Sequence, residues 1–397
     1  MTAASKAPLP ALLLYAKGNV SWQQCVADTL TQGFGVNMRK LPAPVLTRLP
    51  KRLQVNPYDS LSYVEDWAAS MQRSPRLDVV LCNVCDLTAL ARWMPKIREF
   101  PLIFVMHSAN GDGIGHLDYL AHVLRRRRGL LTMFVANEYN FLEEKRRFLR
   151  TSEADFVATQ LPPEPAAWLY ADCGRARVVK AYAALNTQAF SPPPNGSAGE
   201  RTWDIAFRGN AYKKALGDDE RTRAIVGVRE AAERAKLRVN IEFSMVPSGA
   251  WADLLRSTWA IPGAESGTYY LERDSSAYHR AEAYVLAHPN TTLEYVRETY
   301  YTGGTWPVSG KMLSSRHLEP MGTKTCQILV EGEYSGVLAP DVHYIPLAKD
   351  LSNMQQALEK FSDVTFRTRV AESAYELAMS EHTFERRITQ ILNDIGV

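Results

Sequence analysis

The sequence predicts an α/β chain built from two parallel-sheet domains, and three observations carry that prediction. The length of 397 residues suits two cores at about 100–200 residues per domain. Short continuous apolar runs alternate with stretches of helical spacing, as expected of parallel strands buried on both faces. One segment, Ser191 to Glu200, is dense in proline, glycine and serine; it can continue neither helix nor sheet and so divides the chain.

The first domain is expected over residues 1–190. It opens with the apolar run Ala11 to Ala16, a loop from Lys17 to Ser21, and a helix whose Trp22, Cys25, Val26 and Leu30 share a face. The same grammar returns at Asp78 to Cys82 and Pro101 to Met106, and Leu131 to Ala136, Asp155 to Ala158 and Arg177 to Lys180 supply further strands. After the linker at 191–200 the pattern restarts in a second domain, 201–380. Its order is strand Trp203 to Phe207, loop Arg208-Gly209-Asn210, helix Asp219 to Lys236, strand Arg238 to Phe243, a helix near Trp251 and strand Trp259 to Pro262. Later come a helix Ser314 to Met321, strands Gln327 to Glu331 and His343 to Pro346, and helices Met354 to Phe361 and Thr365 to Leu377. A last helix, Thr383 to Ile395, falls in 381–397 and could pack back on the first domain. Two open parallel sheets joined by a hinge place a ligand in a cleft at the carboxyl ends of the strands.

Composition narrows the class. Hydrophobic residues at 46% and charged residues at 22% exclude disordered, collagenous and coiled-coil chains. No apolar run nears the ~18 residues of a membrane span, and Ala11 to Ala16 meets Lys17 at once, so a cytoplasmic protein without a transmembrane segment is expected. Five cysteines, an odd and sparse set, fit reduced thiols and no structural disulfide. The net charge of +3, from 46 basic against 43 acidic residues, is too small to mark a nucleic-acid binder. Basic residues do cluster at Arg125 to Arg128 and at Lys145, Arg146, Arg147 and Arg150, on what reads as an exposed helix. Such a run is either a solvated helix end or a peripheral contact, from Arg125 to Arg150, with an acidic membrane face or a polyanion.

Candidate site residues stand at strand ends. Arg208, Gly209 and Asn210, with Lys213 and Lys214 behind, could approach a phosphate through glycine backbone and cationic side chains. Glu265, between Gly263 and Gly267 and beside Ser266, is placed to accept hydrogen bonds from ligand hydroxyls, with Asp274 a lesser candidate of that type. Arg316 and Glu319 are three apart on a helix, so a cation for a diphosphate and a carboxylate for a ribose diol share a face; the alternative is a plain salt bridge. The run Thr323-Lys324-Thr325 feeds the next strand and extends that polar stretch. In the first domain His107 and His116 bracket Asp112, and His107 or Asp112 could serve as an acid or base. A lone Cys82-x-x-Cys85 gives no metal site, so no metal ligand is assigned. No Walker loop, HExxH, GxSxG or complete GxGxxG occurs.

The segment from Ser314 through Thr325, Glu331-Gly332-Glu333-Tyr334-Ser335-Gly336, His343 to Leu347 and Asp350 to Asn353 resembles bacterial GT-B glycosyltransferases of surface-polysaccharide clusters, of the group 1, spore-maturation glycosyltransferase-like type. Pro262 to Gly267, Asp204 to Asn210 and Asn186 to Pro192 extend the resemblance to about half the chain. It implies two Rossmann-like domains facing a cleft, an acceptor-binding domain at 1–190 and a nucleotide-sugar donor domain at 201–380. It also implies transfer of a sugar from a nucleotide-diphosphate donor to an acceptor hydroxyl of a glycan or other glycoconjugate, with no permanently bound cofactor, no metal and retention at the anomeric carbon. Glu319 then corresponds to the glutamate that binds the donor ribose, and Arg316 sits near the diphosphate. The earlier glutamate of the group 1 pattern falls near Lys311 and Met312, so contact with the sugar passes to Glu265. Arg208, Lys213, Arg316 and Lys324 are the candidates for neutralising the leaving diphosphate. Two other readings remain open: a non-catalytic nucleotide- or glycan-binding module, and a transferase acting on DNA or protein.

Overall fold

The computed structural model describes residues 7–17, 20–35, 63–110, 114, 117–193, 201–304 and 306–397. The chain forms two compact units. One holds the chain up to Thr159 with Ala166–Ala181 and Ile388–Val397; the other holds Gln160–Pro165 and Tyr182–Arg387.

In the first unit six parallel strands pair, β1 Leu9–Tyr15, β2 Leu77–Asn83, β3 Leu102–Val105, β4 Leu130–Phe134, β5 Phe156–Thr159 and β6 Arg177–Lys180. Their order is β2-β1-β3-β4-β5-β6. Leu12, Leu13 and Leu14 in β1 and all four residues of β3 are buried, which explains why these strands read as unbroken apolar runs: helices cover both faces of the sheet. Helices α1 Trp22–Asp28, α2 Tyr63–Arg73, α3 Leu87–Trp93, α4 His107–Asn110, α5 Leu117–Leu124, α6 Leu142–Thr151 and α7 Pro163–Tyr170 follow in chain order. Because β1 lies between β2 and β3, the strand order reverses there and a crevice opens at their carboxyl ends. At that point Met106 N–H donates to Leu14 O at 2.8 Å and Ala16 N–H to Ser108 Oγ at 3.3 Å.

One helix corrects the reading of an exposed basic surface. Lys145 and Arg146 of α6 are buried with Leu142, Phe148 and Leu149, on the face set by i, i+3 and i+4 spacing. Lys145, 0% exposed, donates Nζ–H to Ala136 O at 2.9 Å and Asn137 O at 3.4 Å. The stretch is also internally paired: Arg125 with Glu153 at 2.6 Å, Arg127 with Asp155 at 2.7 Å, Arg147 with Asp118 at 2.6 Å and Arg150 with Glu143 at 2.6 Å, while Arg146 joins Glu143 and Asp172.

The second unit contains β7 Trp203–Arg208, β8 Val239–Glu242, β9 Thr258–Gly263, β10 Cys326–Val330 and β11 Ile345–Leu347, all parallel in the order β11-β10-β9-β7-β8. Helices α8 Glu220–Arg234, α9 Ser248–Arg256, α10 Ser276–Ala287, α11 Leu293–Tyr300, α12 Ser315–Gly322, α13 Met354–Ser362 and α14 Val364–Glu381 accompany it, and α15 Phe384–Asp394 follows. One core gathers Ala224, Ile225 and Val228 of α8 with Leu358 and Phe361 of α13; another gathers Trp251 and Leu255 of α9 with Leu318 and Met321 of α12 and Ala374 of α14. Leu185 and Phe190 join that second core, so residues 182–190 pack with this unit. Sequence periodicity gives no element between 268 and 314, yet α10 and α11 lie there. The buried residues of α10 are Ala277, Tyr278 and Ala281, too small and polar a set to make an apolar stripe.

Among the described residues no helix is long and apolar enough to cross a membrane. All five cysteines are buried thiols; burial pushes Cys82 of the CxxC pair up to about 12, which keeps it protonated and unreactive.

Candidate functional site

In the second unit β7 is flanked by β8 and β9, so its strand order reverses at the ends of β7 and β9. A ligand crevice in an open parallel sheet forms at such a point. The loops that leave these two strands carry Arg208-Gly209-Asn210 and Ala264-Glu265-Ser266.

The second loop is fixed from several directions. Ser266 pairs with Met312 through two backbone hydrogen bonds, Ser266 N–H to Met312 O at 3.0 Å and Met312 N–H to Ser266 O at 2.9 Å, and its hydroxyl meets Ser314 Oγ at 2.8 Å. Tyr212 OH lies 3.2 Å from both Glu265 O and Gly267 O. Gly267 is required: its φ is +89°, and an added Cβ would lie 2.0 Å from Gly310 O. The Glu265 carboxylate is buried and accepts Tyr334 N–H at 2.7 Å on Oε1. Its Oε2 would lie 2.4 Å from a Cβ at Gly332. Burial raises its pKa, opposed by the Tyr334 N–H and the Lys311 charge.

Helix α12 begins beside that loop. His317 accepts Ser314 N–H on Nδ1 at 3.0 Å, and its Nε2 lies 3.0 Å from Ala264 O. The carbonyl needs a donor, so the ring is neutral with its proton on Nε2. Burial takes its pKa down to about 4. Two residues on, Glu319 is buried and accepts Trp251 Nε1–H at 2.7 Å on Oε2. The Arg316 guanidinium lies 4.6 Å from the centre of the Trp251 ring and reaches Arg208 O at 3.4 Å. Trp251 thus holds both members of the Arg316 and Glu319 pair, which share a helix face as their spacing requires.

A second guanidinium joins this group from α8. Arg221 lies 4.1 Å from the Tyr212 ring centre and donates to Asn210 O at 3.0 Å. Neither Arg221 nor Arg316 makes an ion pair among the described residues. Burial lowers the Arg316 pKa, Glu319 resists that, and the Arg221 charge lowers it further. Two cations thus share one neighbourhood without an ion pair among the described residues, with Glu319 the carboxylate that favours the Arg316 charge. Behind them, Lys311 is buried with Asp218 at 2.5 Å and Glu220 at 3.4 Å, and Tyr269 OH donates to Glu220 at 2.9 Å. Burial works against the Lys311 charge, but Tyr212, Asp218 and Glu220 outweigh it and its pKa is raised.

The structure brings together Gly209, Glu265, Ser266, Gly267, Arg316 and Glu319. It does not bring the other candidates into the same group. The Arg208 guanidinium turns along the sheet to β8, donating to Asn240 O at 2.9 Å, Asn240 Oδ1 at 2.7 Å and Glu242 Oε1 at 2.9 Å; its carbonyl, not its charge, faces Arg316. Lys213 reaches α10, with Tyr278 OH at 3.2 Å and Glu282 at 3.1 Å. Thr323 and Lys324 follow α12 and precede β10, at the amino end of the sheet. There Thr323 Oγ1 bonds Pro320 O at 3.0 Å, and Lys324 pairs with Glu372 at 2.7 Å. An eight-residue helix spans about 12 Å, enough to separate the two ends of one sequence motif. Asp274 Oδ1 accepts Ser276 N–H at 3.1 Å ahead of α10. Sequence reasoning missed Tyr212, Arg221 and Trp251, because each reaches the site from another part of the chain, and it gave no role to His317, which stands between Arg316 and Glu319 on the same helix.

In the first unit His107 follows β3 at the crevice between β1 and β3, buried, with its pKa taken down to about 4 by burial and the Lys145 charge. Asp112 and His116 lie outside the described residues. Asn110 donates to Met106 O at 3.0 Å and Phe134 O at 2.7 Å. Glu138, unmarked by any sequence signal, is 1% exposed. Its Oε1 accepts Thr159 Oγ1–H at 2.5 Å and Tyr170 OH at 2.6 Å. Burial pushes its pKa up to about 7 against those hydrogen bonds and Lys145.

No family model matches the sequence, and no curated protein matches it. Solved structures do. An α-glucosyltransferase solved with UDP and a 13-mer DNA containing an HMU base aligns with a TM-score of 0.52 at 9% identity, covering 97% of this chain and 100% of that one. HepE of Anabaena in complex with UDP-glucose aligns at 0.47 and 11% identity, covering 98% and 99%. Sucrose-phosphate synthase from Thermosynechococcus elongatus aligns at 0.45 and 14% identity, covering 98% of each. The first of these likenesses shows the fold: two Rossmann-like α/β units of the GT-B type.

Proposed function

We propose that this chain is a glycosyltransferase that moves a sugar from a nucleotide-diphosphate sugar to an acceptor hydroxyl, of the group 1 type found in surface-polysaccharide clusters. The observation that carries the proposal is the grouping of Arg221 and Arg316, two guanidiniums that make no ion pair among the described residues, beside the Glu319 carboxylate that Trp251 holds in place. A diphosphate supplies the charge those arginines lack, and it is the leaving group whose developing charge must be stabilised. Arg221 and Arg316 then take that role without a metal ion. Glu319, with Oε2 committed to Trp251, offers Oε1 to the ribose hydroxyls. Glu265 and Ser266 meet the sugar.

Acceptor chemistry is assigned to the first unit, where neutral His107, or Asp112, would take the proton of the attacking hydroxyl. Retention at the anomeric carbon is the outcome the family resemblance implies. The same resemblance supports a glycan or glycoconjugate acceptor, and the five free thiols support a cytoplasmic site of action. Ion pairs occupy Arg125, Arg127, Arg147 and Arg150, while Arg126 and Arg128 are exposed and would carry a contact with an acidic membrane face or a polyanion.

Nucleotide release is the direct test. Purified protein would be incubated with UDP-, GDP-, ADP- and dTDP-sugars, with and without EDTA, alone and with soluble and lipid-linked glycan acceptors. Release from one donor class, insensitive to EDTA and reduced about 100-fold in Arg316→Gln, is the expected result; loss of one charge-assisted contact gives that magnitude. Binding of a nucleotide sugar without release under any of these conditions would contradict the transferase reading and favour a binding module.

A further inference from the structure

At the amino end of the second unit's sheet, away from the loops of Glu265 and Ser266, a cavity of about 120 Å³ is lined by Arg201, Trp259, Lys324, Cys326, Arg367 and Glu372, with prolines at its margin. Its charge is unusual. Arg201 is 7% exposed, yet it bonds only carbonyls and a hydroxyl: Leu255 O at 3.3 Å, Thr258 O, Thr325 Oγ1 at 2.9 Å, Thr323 O at 3.1 Å and Lys324 O at 3.0 Å. Among the described residues no carboxylate pairs with it. Arg367 makes one side-chain hydrogen bond among the described residues, Nη1–H to Phe361 O at 2.7 Å, and no ion pair.

Among the described residues the acidic groups nearby are engaged in other contacts, while the charges of Asp204 and Asp363 still favour the Arg367 cation. Glu372 is paired with Lys324 at 2.7 Å and Asp204 with Arg238 at 2.7 Å; Asp363 caps α14 through Thr365 N–H at 2.9 Å and Phe366 N–H at 3.0 Å. The Cys326 thiol, pushed up to about 12 by burial, brings no negative charge. Arg201 and Arg367 lie against the same indole, 5.1 and 4.7 Å from the Trp259 ring centre. Indole contact offsets part of the cost of two cations at one place but cannot cancel their charge. Burial first, and then the Arg367 charge, pull Arg201 down to about 10.

We infer that this cavity is an oxyanion site, taking inorganic phosphate or the phosphate of a phosphomonoester on Arg367, with Arg201 as the fixed cation behind it and Trp259 as its wall. The volume suits a phosphate-sized ion, and guanidinium is the side chain that matches such an anion with paired donors. The site is independent of the proposed donor pocket, since it shares no residue with the Arg221, Arg316 and Glu319 group.

The test is a titration of the full chain with sodium phosphate at constant ionic strength, with sodium chloride as the control, read by melting temperature and by indole fluorescence. The expected result is a saturable phosphate response that Arg367→Gln weakens at least 10-fold in Kd, that Arg367→Lys partly restores, and that Arg316→Gln leaves unchanged. Trp259→Phe should keep the melting response and lose the fluorescence change. A parallel titration with methyl phosphate separates the two sources: tighter binding of the ester assigns the site to a phosphorylated small molecule, and tighter binding of the free ion to inorganic phosphate. A response absent altogether, or abolished by Arg316→Gln and untouched by Arg367→Gln, would overturn the inference.

Discussion

The two parallel sheets reverse strand order in the same way, yet they treat charge at that point differently. In the second unit Arg221 and Arg316 stand at the reversal without ion pairs among the described residues, and the groups around them are held by Trp251, Tyr212 and the Ser266–Met312 bridge. In the first unit the charged groups are absorbed into the fold. Lys145 caps the carbonyls of Ala136 and Asn137, and Glu138 joins β5 to α7 through Thr159 and Tyr170. A charge left without a partner beside a strand end marks ligand chemistry, whereas one answered by backbone or hydroxyl groups marks structure.

The sharpest way to break that contrast is to remove one cation from each unit. Arg316→Gln should lower affinity for the nucleotide-diphosphate donor about 100-fold, since a charge-assisted hydrogen bond contributes about 1.5–3 kcal/mol, while the melting temperature barely moves. Lys145→Met should do the reverse. It strands the Ala136 and Asn137 carbonyls at a cost of about 1–3 kcal/mol and leaves donor affinity intact, as calorimetry and thermal melts would show. Equal effects of both variants on stability would erase the distinction.

Gly332→Ala sharpens the account of Glu265. The added methyl would fall 2.4 Å from Glu265 Oε2, so the carboxylate must move off Tyr334 N–H. Steady-state kinetics should show kcat falling at least 10-fold with the chain still folded by circular dichroism.

The pH dependence of stability separates Glu138 from His317 in sign. Glu138, raised to about 7 from an ordinary 4.5, binds its proton more tightly folded than unfolded. Its contribution is therefore full below 4.5 and is lost as pH rises toward 7, by about 3 kcal/mol. Glu138→Gln should remove that falling component from urea melts across the window. His317, lowered to about 4 from 6.5, binds its proton more tightly unfolded. Its contribution grows as pH rises from 4 to 6.5, and His317→Gln should remove a rising component instead. The smallest effect is expected at the surface: breaking the exposed Arg147–Asp118 pair with Arg147→Ala should cost less than about 1 kcal/mol.

Much of the architecture was legible because it depends on local pattern. The runs at Ala11, Asp78, Pro101, Trp203 and Trp259 each lie on an observed strand, and the Arg316 and Glu319 spacing does put both side chains against one partner. The partner itself was not legible: Trp251 stands 68 positions before Glu319, and no periodicity links them. Arg221 escaped notice as one more charge on an amphipathic helix. Arg208 and Lys324 looked equally suited to a phosphate, but the side chain of one follows the sheet to Asn240 and Glu242, and α12 carries the other to the far end of β10. Burial of Lys145 and Arg146 could not be read from charge alone, since only the tertiary fold supplies the carbonyls and carboxylates that accept them.

The central claim is that the carboxyl end of the second sheet holds a nucleotide-diphosphate sugar on its arginines and Glu319. A thermal-shift screen of wild type, Arg316→Gln and Glu319→Ala against UDP-, GDP-, ADP- and dTDP-sugars, with and without EDTA, tests it directly, because a ligand that binds only the folded chain raises its melting temperature. The account predicts a rise with one nucleotide class in wild type, unchanged by EDTA and lost in both variants. A rise that survives both substitutions, or no rise with any donor, would contradict it.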